Sequence, residues 1–185
     1  MKLTELIKEI YVKEKFNFSD VEVTGISYNS KTTQQGDIPQ IIVASTEQSI
    51  APLADMFYGT PSKELNLIGV TGTNGKTTVT HLTQRIIEAN ASHCALIGTL
   101  GYKLSSDGEY KEAKHTTPQA PELQRTLTLI AGENIGYVAM EVSSHSLVQN
   151  RVGGCQYNCA VFTNLTQDHL DYHVTMDRYF DAKAL

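Results

Sequence analysis

The sequence predicts an α/β fold built on a parallel sheet and preceded by a small α+β piece. Three observations carry that expectation. Four apolar runs, at residues 65–70, 94–97, 137–142 and 160–165, read as strands covered on both faces. Segments with helical periodicity separate them, the alternation of βαβ units. A glycine-rich turn joins the first run to the first helical segment, the setting a phosphate loop requires.

The elements follow in order. Leu3, Leu6, Ile7 and Ile10 recur at helical spacing, so residues 2–13 are expected to form a short amphipathic helix. Val21, Val23 and Ile26 suggest a short strand. Residues 31–37 make a polar turn closed by Gly36, and residues 41–44 a second short strand. Residues 50–58 read as helical and lead through Gly59 and Pro61 to a boundary near residue 63. Beyond it, residues 77–90 are a helix that places Val79, Leu82, Ile86 and Ile87 on one face. Residues 102–110 hold Ser-Ser-Asp-Gly, a hairpin-type turn. Residues 121–131 are a helix with Leu123, Leu127 and Ile130 in one stripe, and residues 176–185 begin another. The expected organisation is thus a thin piece at 1–62 and a regular α/β domain at 63–185.

Composition narrows the function classes. Of the 185 residues, 41% are hydrophobic and 19% charged, enough for a packed core and unlike a disordered chain. A net charge of −5 offers no electrostatic footprint for nucleic acid or an anionic membrane. No apolar run reaches the roughly 18–20 residues of a membrane span. Glu5, Lys8 and Glu9 interrupt the apolar core a signal peptide would need. The three cysteines, Cys94, Cys155 and Cys159, are an odd set in a chain too large to need staples, which fits a reducing, cytoplasmic setting. Cys155 and Cys159 with His145 or His173 do not have the spacing of a zinc site. Small buried thiols are the expectation, with Cys159 leading into a buried strand. His169 and His173 lack the Glu that would make a zinc-protease pair.

The strongest chemistry lies in Gly72-Thr73-Asn74-Gly75-Lys76-Thr77-Thr78. Glycines let backbone N–H groups turn inward, and the following helix N-terminus favours an anion. Lys76 can reach β- and γ-phosphates, and the Thr77 hydroxyl can ligate Mg2+. The usual pattern has Gly five positions before Gly75, where this chain has Val70, so the loop is a variant.

That variant, Val-Thr-Gly-Thr-Asn-Gly-Lys-Thr-Thr, resembles the ATP loop of the Mur ligases and of the related folylpolyglutamate synthetases. Four further stretches narrow the resemblance: His115-Thr116-Thr117-Pro118, Met140-Glu141-Val142-Ser143-Ser144-His145, Phe162-Thr163-Asn164-Leu165 and Asp168-His169-Leu170-Asp171-Tyr172-His173. Together they look like the Mur ligases that act on UDP-N-acetylmuramoyl-L-alanyl-D-glutamate. The likeness is close from about residue 52 to 185 and interrupted before that. The Thr-Thr-Pro and Ser-Ser-His stretches speak against a folylpolyglutamate synthetase.

The resemblance implies an ATP-dependent amide ligase of peptidoglycan synthesis. A diamino acid, meso-diaminopimelate or L-lysine, joins the UDP-MurNAc dipeptide through an acyl phosphate. It further implies two Mg2+ ions held by Thr77, Glu141, His169 and Lys183. Lys183 would carry a CO2-derived carbamate, which turns a cation into a metal-binding anion. Catalytic roles fall to Lys76, His169 and carbamylated Lys183. Substrate contacts fall to Thr116, Thr117, Ser143, Gln149 and Arg151, and to Ser30 at the uridine end. The residue types suit those tasks, with hydroxyls and an amide for sugar and peptide groups and Arg for a carboxylate or phosphate. His115 stands where the family often has Asn. Glu141 also has a direct reading, since it ends a strand at the edge where open α/β sheets bind ligands.

Set against the family, the chain reads as short. The uridine-binding N-terminal domain is expected to be abbreviated: residues 36–38 run almost directly into 39–43, where the family has several dozen residues between. The central domain is expected to stop before its adenine-binding strands, and the C-terminal amino-acid domain to be absent. Those parts would be supplied elsewhere. The alternative is a non-catalytic nucleotide-binding remnant.

Overall fold

A computed structural model describes residues 1–8, 10–16, 18–26, 40–90 and 92–185. The expected turn at 31–37 and Ser30 lie outside the described residues.

The regular part is α/β. The strands are β3 (Asn66–Thr71), β4 (Cys94–Gly98), β5 (Gly101–Lys103), β6 (Tyr137–Glu141) and β7 (Cys159–Phe162), in spatial order β5-β4-β6-β3-β7. β3 pairs in parallel with β6 and β7, and β4 in parallel with β6; within the described residues of this sheet, β5 runs antiparallel, on β4. The chain leaves β3 in one direction to β4, fills the gap with β6, and returns to the other side of β3 with β7. β3 therefore sits at the switch point, and its C-terminal end is where such sheets take ligands.

Side chains alternate across the sheet, and helices cover both faces. Leu67, Ala95, Ile97, Val138 and Met140 pack on one face with Leu123, Leu127 and Ile130 of α4 (Ala120–Gly132), as the stripe predicted. α3 (Lys76–Ala89) packs over β4 and β6. Its buried residues are Thr80 and Gln84, while Leu82 and Ile86 are 57% and 64% exposed, so the expected apolar face is the wrong one. Lys76 and Thr77 must face the loop. At 100° per residue, that turns positions 80 and 84 toward the sheet and 82 and 86 away. Gln84 is satisfied there by donating its Nε2 to the Cys94 carbonyl at 2.7 Å.

The strand at β7 also departs from expectation. Among the described residues it ends the strand order, paired with β3. Cys159 and Phe162 are exposed rather than buried. The apolar run was long enough for a strand but carried no information about its place in the sheet.

Earlier in the chain, helix α1 is only Leu3–Leu6, because Val12–Phe16 (β1) pairs antiparallel with Gln40–Val43 (β2) instead of continuing a helix to residue 13. Leu3, Leu6 and Ile7 are buried as their spacing implied. Residues 21–26 form no strand; Glu22 makes a single bridge to Lys2. α2 (Thr46–Phe57) starts earlier than expected, capped by Ser45, whose Oγ accepts from the Gln48 amide. It meets α4 through Ala51, Ala54 and Ala120, all nearly fully buried. Among the described residues, three short α-helices follow β6, namely α5 (Ser144–Val148), α6 (Leu170–His173) and α7 (Met176–Ala184), and a 3-10 helix at Pro61–Glu64 precedes β3.

Candidate phosphate and metal site

The phosphate loop leaves β3 at its C-terminal edge. Gly72 has φ 137°, and a Cβ there would lie 1.9 Å from Thr163 Oγ1, so both conformation and space demand glycine. Two hydrogen-bonded neighbours from the β7 edge hold the loop. The Thr73 amide donates to the Asn164 carbonyl at 2.9 Å, and the Asn74 amide to Asn164 Oδ1 at 3.0 Å. Asn164 Nδ2 and Thr163 Oγ1 donate back to the Asn74 carbonyl. Thr73 is buried, and its Oγ1 meets the Tyr179 hydroxyl at 3.2 Å. Gly75 then enters α3 with φ 85°. The first-turn amides of a helix have no acceptor within it, which leaves those after Gly75 for an anion. Thr78 is exposed in this turn.

Lys76 folds back over the loop and donates to the Gly72 and Thr73 carbonyls, both at 2.9 Å. Burial holds its pKa below the ordinary lysine value, against the pull of Glu141 and Asp168. Lys183 reaches the same Gly72 carbonyl from α7, at 2.8 Å, and lies over the Tyr179 ring. It is 6% exposed, and burial, with Lys76 beside it, pushes its pKa down to about 8.

Glu141 closes β6 and is 1% exposed. Its Oε1 accepts from Thr77 Oγ1 at 3.0 Å and from the Thr99 amide at 3.0 Å, and its Oε2 from Thr99 Oγ1 at 3.2 Å. Gly98 makes room for it: a Cβ there would stand 2.2 Å from Oε1. The Thr77–Glu141 pair is a set of hard oxygens at the mouth of the loop. That chemistry fits Mg2+, which takes one or two protein oxygens and fills its shell with water and phosphate oxygens.

His169 immediately precedes α6 (Leu170–His173). It occupies the left-handed region at φ 50°, and its Nε2 lies 3.5 Å from Asp168 Oδ2. Its ring packs edge-on against His145 at 4.9 Å and near Tyr179 at 6.2 Å. His173 joins the cluster and shares a 2.9 Å hydrogen bond with Ser144 Oγ. Burial, reinforced by the neighbouring rings, lowers the pKa of both His145 and His173. Among the described residues, no group of three or more His, Cys, Asp or Glu side chains is placed to hold an ion by itself.

The expected substrate residues gather on the α5 side of the same edge. Thr117 Oγ1 donates to the Glu141 carbonyl at 2.9 Å and accepts from the Ser143 amide at 3.0 Å. Ser143 caps α5 by accepting from the Ser146 amide. Arg151 donates to the Thr117 carbonyl at 3.0 Å and through two nitrogens to Gln149 Oε1. Thr116 meets Thr99 Oγ1 at 3.1 Å.

Four residues of the site were not assigned a role from the sequence. Asn164 and Thr163 follow a strand at the ligand edge, a position that could have flagged them. Tyr179 lies four residues before Lys183, hence on the same helix face. Thr99 follows β4 at the same edge but sits in no motif.

The chain belongs to the Mur ligase family: the Mur ligase middle domain matches residues 70–185. Curated relatives share one name, UDP-N-acetylmuramoyl-L-alanyl-D-glutamate--2,6-diaminopimelate ligase. The protein of Geobacillus thermodenitrificans is 51% identical over 149 residues, covering 80% of this chain and 30% of that protein. The Listeria monocytogenes (EGD-e) protein is 44% identical over 177 residues, 96% of this chain and 36% of its own. The Bacillus velezensis protein is 38% identical over 222 residues, 100% of this chain and 45% of its own. A solved structure of a ligase of the same name matches with a TM-score of 0.61 at 35% identity, over 72% of this chain and 28% of that one. The chain thus spans 30–45% of the length of these three curated relatives.

Proposed function

We propose that this chain is the ATP-handling part of a cytoplasmic ligase that adds a diamino acid to UDP-N-acetylmuramoyl-L-alanyl-D-glutamate. The observation that carries the reading is the meeting of the phosphate loop with a buried carboxylate, Thr77 on Glu141 at 3.0 Å, beside the Thr116, Thr117 and Ser143 hydroxyls. The relatives' shared name favours 2,6-diaminopimelate as the diamino acid. Residues 1–62 are read as an abbreviated substrate domain and 63–185 as the ATP-binding domain, with Ser30 as a uridine contact.

Within this reading the chain's own residues position and neutralise. Loop amides and Lys76 hold the phosphates, with Lys76 exchanging its two carbonyl partners for phosphate oxygens. Thr77 and Glu141 would hold one Mg2+, and His169 and Lys183 a second; bound metal supplies charge neutralisation at the transferring phosphoryl group. Arg151, whose nitrogens donate to Gln149 Oε1 and the Thr117 carbonyl, would exchange such a partner for a substrate carboxylate or phosphate. Lys183 suits carbamate formation because part of its population is a neutral amine near neutral pH. Its nitrogen adds to the carbon of CO2 and loses one proton to solvent.

Titration with Mg·ATP tests the loop, and phosphate release on adding the UDP-linked dipeptide and diaminopimelate tests the reaction. Lys76→Ala is expected to abolish ATP binding; an unchanged affinity overturns the loop assignment. Binding with no substrate-dependent phosphate release limits this chain to nucleotide binding.

A further inference from the structure

We propose that His81 and Tyr110 form a clamp that positions Thr77 at the nucleotide's metal ion. This rests on the reading of Thr77 given above and adds two residues that the phosphate-loop motif does not contain.

His81 lies one turn after Thr77 on α3, so its ring reaches back over the same face. Its Nδ1 sits 2.6 Å from the Thr77 carbonyl oxygen, and its Nε2 sits 2.5 Å from the Tyr110 hydroxyl. A carbonyl can only accept, so Nδ1 carries the proton. In the neutral ring Nε2 is then a bare acceptor, and the Tyr110 hydroxyl must donate to it. The order of donors is fixed along the whole chain of contacts, from Tyr110 through His81 to Thr77.

The far side of that chain is the metal-facing pair. Thr77 Oγ1 donates to Glu141. Tyr110 belongs to the segment between β5 and α4. The same segment is tied again at Thr116, which meets Thr99, and Thr99 donates to the other oxygen of Glu141. One segment is therefore fastened twice to the two residues read as metal-facing, through His81 to Thr77 and through Thr99 to Glu141. The Lys103 ammonium, held by the Ser106 carbonyl, lies 5.0 Å from the Tyr110 ring centroid and helps fix its place. Outer contacts of this kind orient the groups that touch a metal. His81 and Tyr110 are positioning residues in this sense, acting on the metal site through Thr77.

Nitrogen-15 NMR of the histidine rings tests the clamp directly. His81 is expected to be the Nδ1–H tautomer, with Nε2 unprotonated, and Tyr110→Phe to relax that preference. Binding tests its role. Tyr110→Phe and His81→Asn should each weaken Mg·ATP binding about threefold to tenfold, the range of one lost hydrogen bond. Their affinities for metal-free ATP should stay at the wild-type value. Asn at position 81 keeps a donor for the Thr77 carbonyl but cannot reach Tyr110, so Tyr110→Phe should add nothing in that background. An Nε2–H ring overturns the proposal. So does an equal loss with and without Mg2+, which is what a merely structural contact would give. If the wild-type chain binds no Mg·ATP, the phosphate-loop reading fails instead, and the nitrogen spectrum still decides the clamp.

Discussion

Lys183 and Lys76 place two ammonium groups on one carbonyl oxygen, that of Gly72. The arrangement is costly for Lys183, which is buried and faces a like charge. With a folded pKa near 8 against an ordinary 10.5, the unfolded chain binds more protons between those values. Stability should therefore rise as pH increases from about 8 to about 10.5. Urea titrations across that range check the slope, and Lys183→Met, which cannot titrate, is expected to flatten it. A rise unchanged in that variant would show that another group carries it. The same strained ammonium is the feature that a carbamate would relieve. Composition could not have revealed it, since the residue looks like any lysine on a helix that begins at Met176.

Helix α3 shows how a functional end can choose a helix face. Its sequence offers two: an apolar one with Leu82 and Ile86, and a mixed one with Thr77, Thr80, His81 and Gln84. The phosphate loop selects the mixed face, because Thr77 must meet Glu141. Replacing Leu82 and Ile86 together with Lys is expected to change stability by no more than about 0.5 kcal/mol, as at other exposed positions. Leu127→Ala, on the fully buried stripe of α4, should cost about 2–5 kcal/mol. Thermal or urea unfolding of the two variants makes the comparison; a large loss from the α3 pair would mean that the apolar face is covered after all. The α4 stripe was legible because its helix carries no other task. The α3 face was not, because hydrophobic periodicity does not record which residues a loop commits.

Across the whole molecule, the piece before residue 63 joins the α/β domain through very small contacts. Ala51 and Ala54 of α2 meet Ala120 of α4 with almost no exposed surface. Such a seam has no room for larger side chains. Ala54→Leu is expected to destabilise the chain by about 1–3 kcal/mol through overpacking. The damage should centre on α2, where hydrogen exchange would read faster opening while the β3–β6 pairing stays protected. Uniform loss of protection would show that the two parts unfold as one.

The sequence alone determined the alternation of strands and helices, the phosphate loop, and the motifs at the strand ends. These are local signals: apolar runs, glycines and helix-start chemistry act within a few residues of themselves. The tertiary structure decided what depends on distant partners. Among the described residues it placed β7 beside β3 with Cys159 and Phe162 exposed, and turned residues 12 and 13 from the end of an expected helix into the start of β1 by pairing β1 with β2. It also brought Thr77, Glu141, Thr99 and Asn164 to one edge and let Tyr110 reach His81. Strand order and register bring together residues that sequence separation keeps apart, and no local pattern encodes that order.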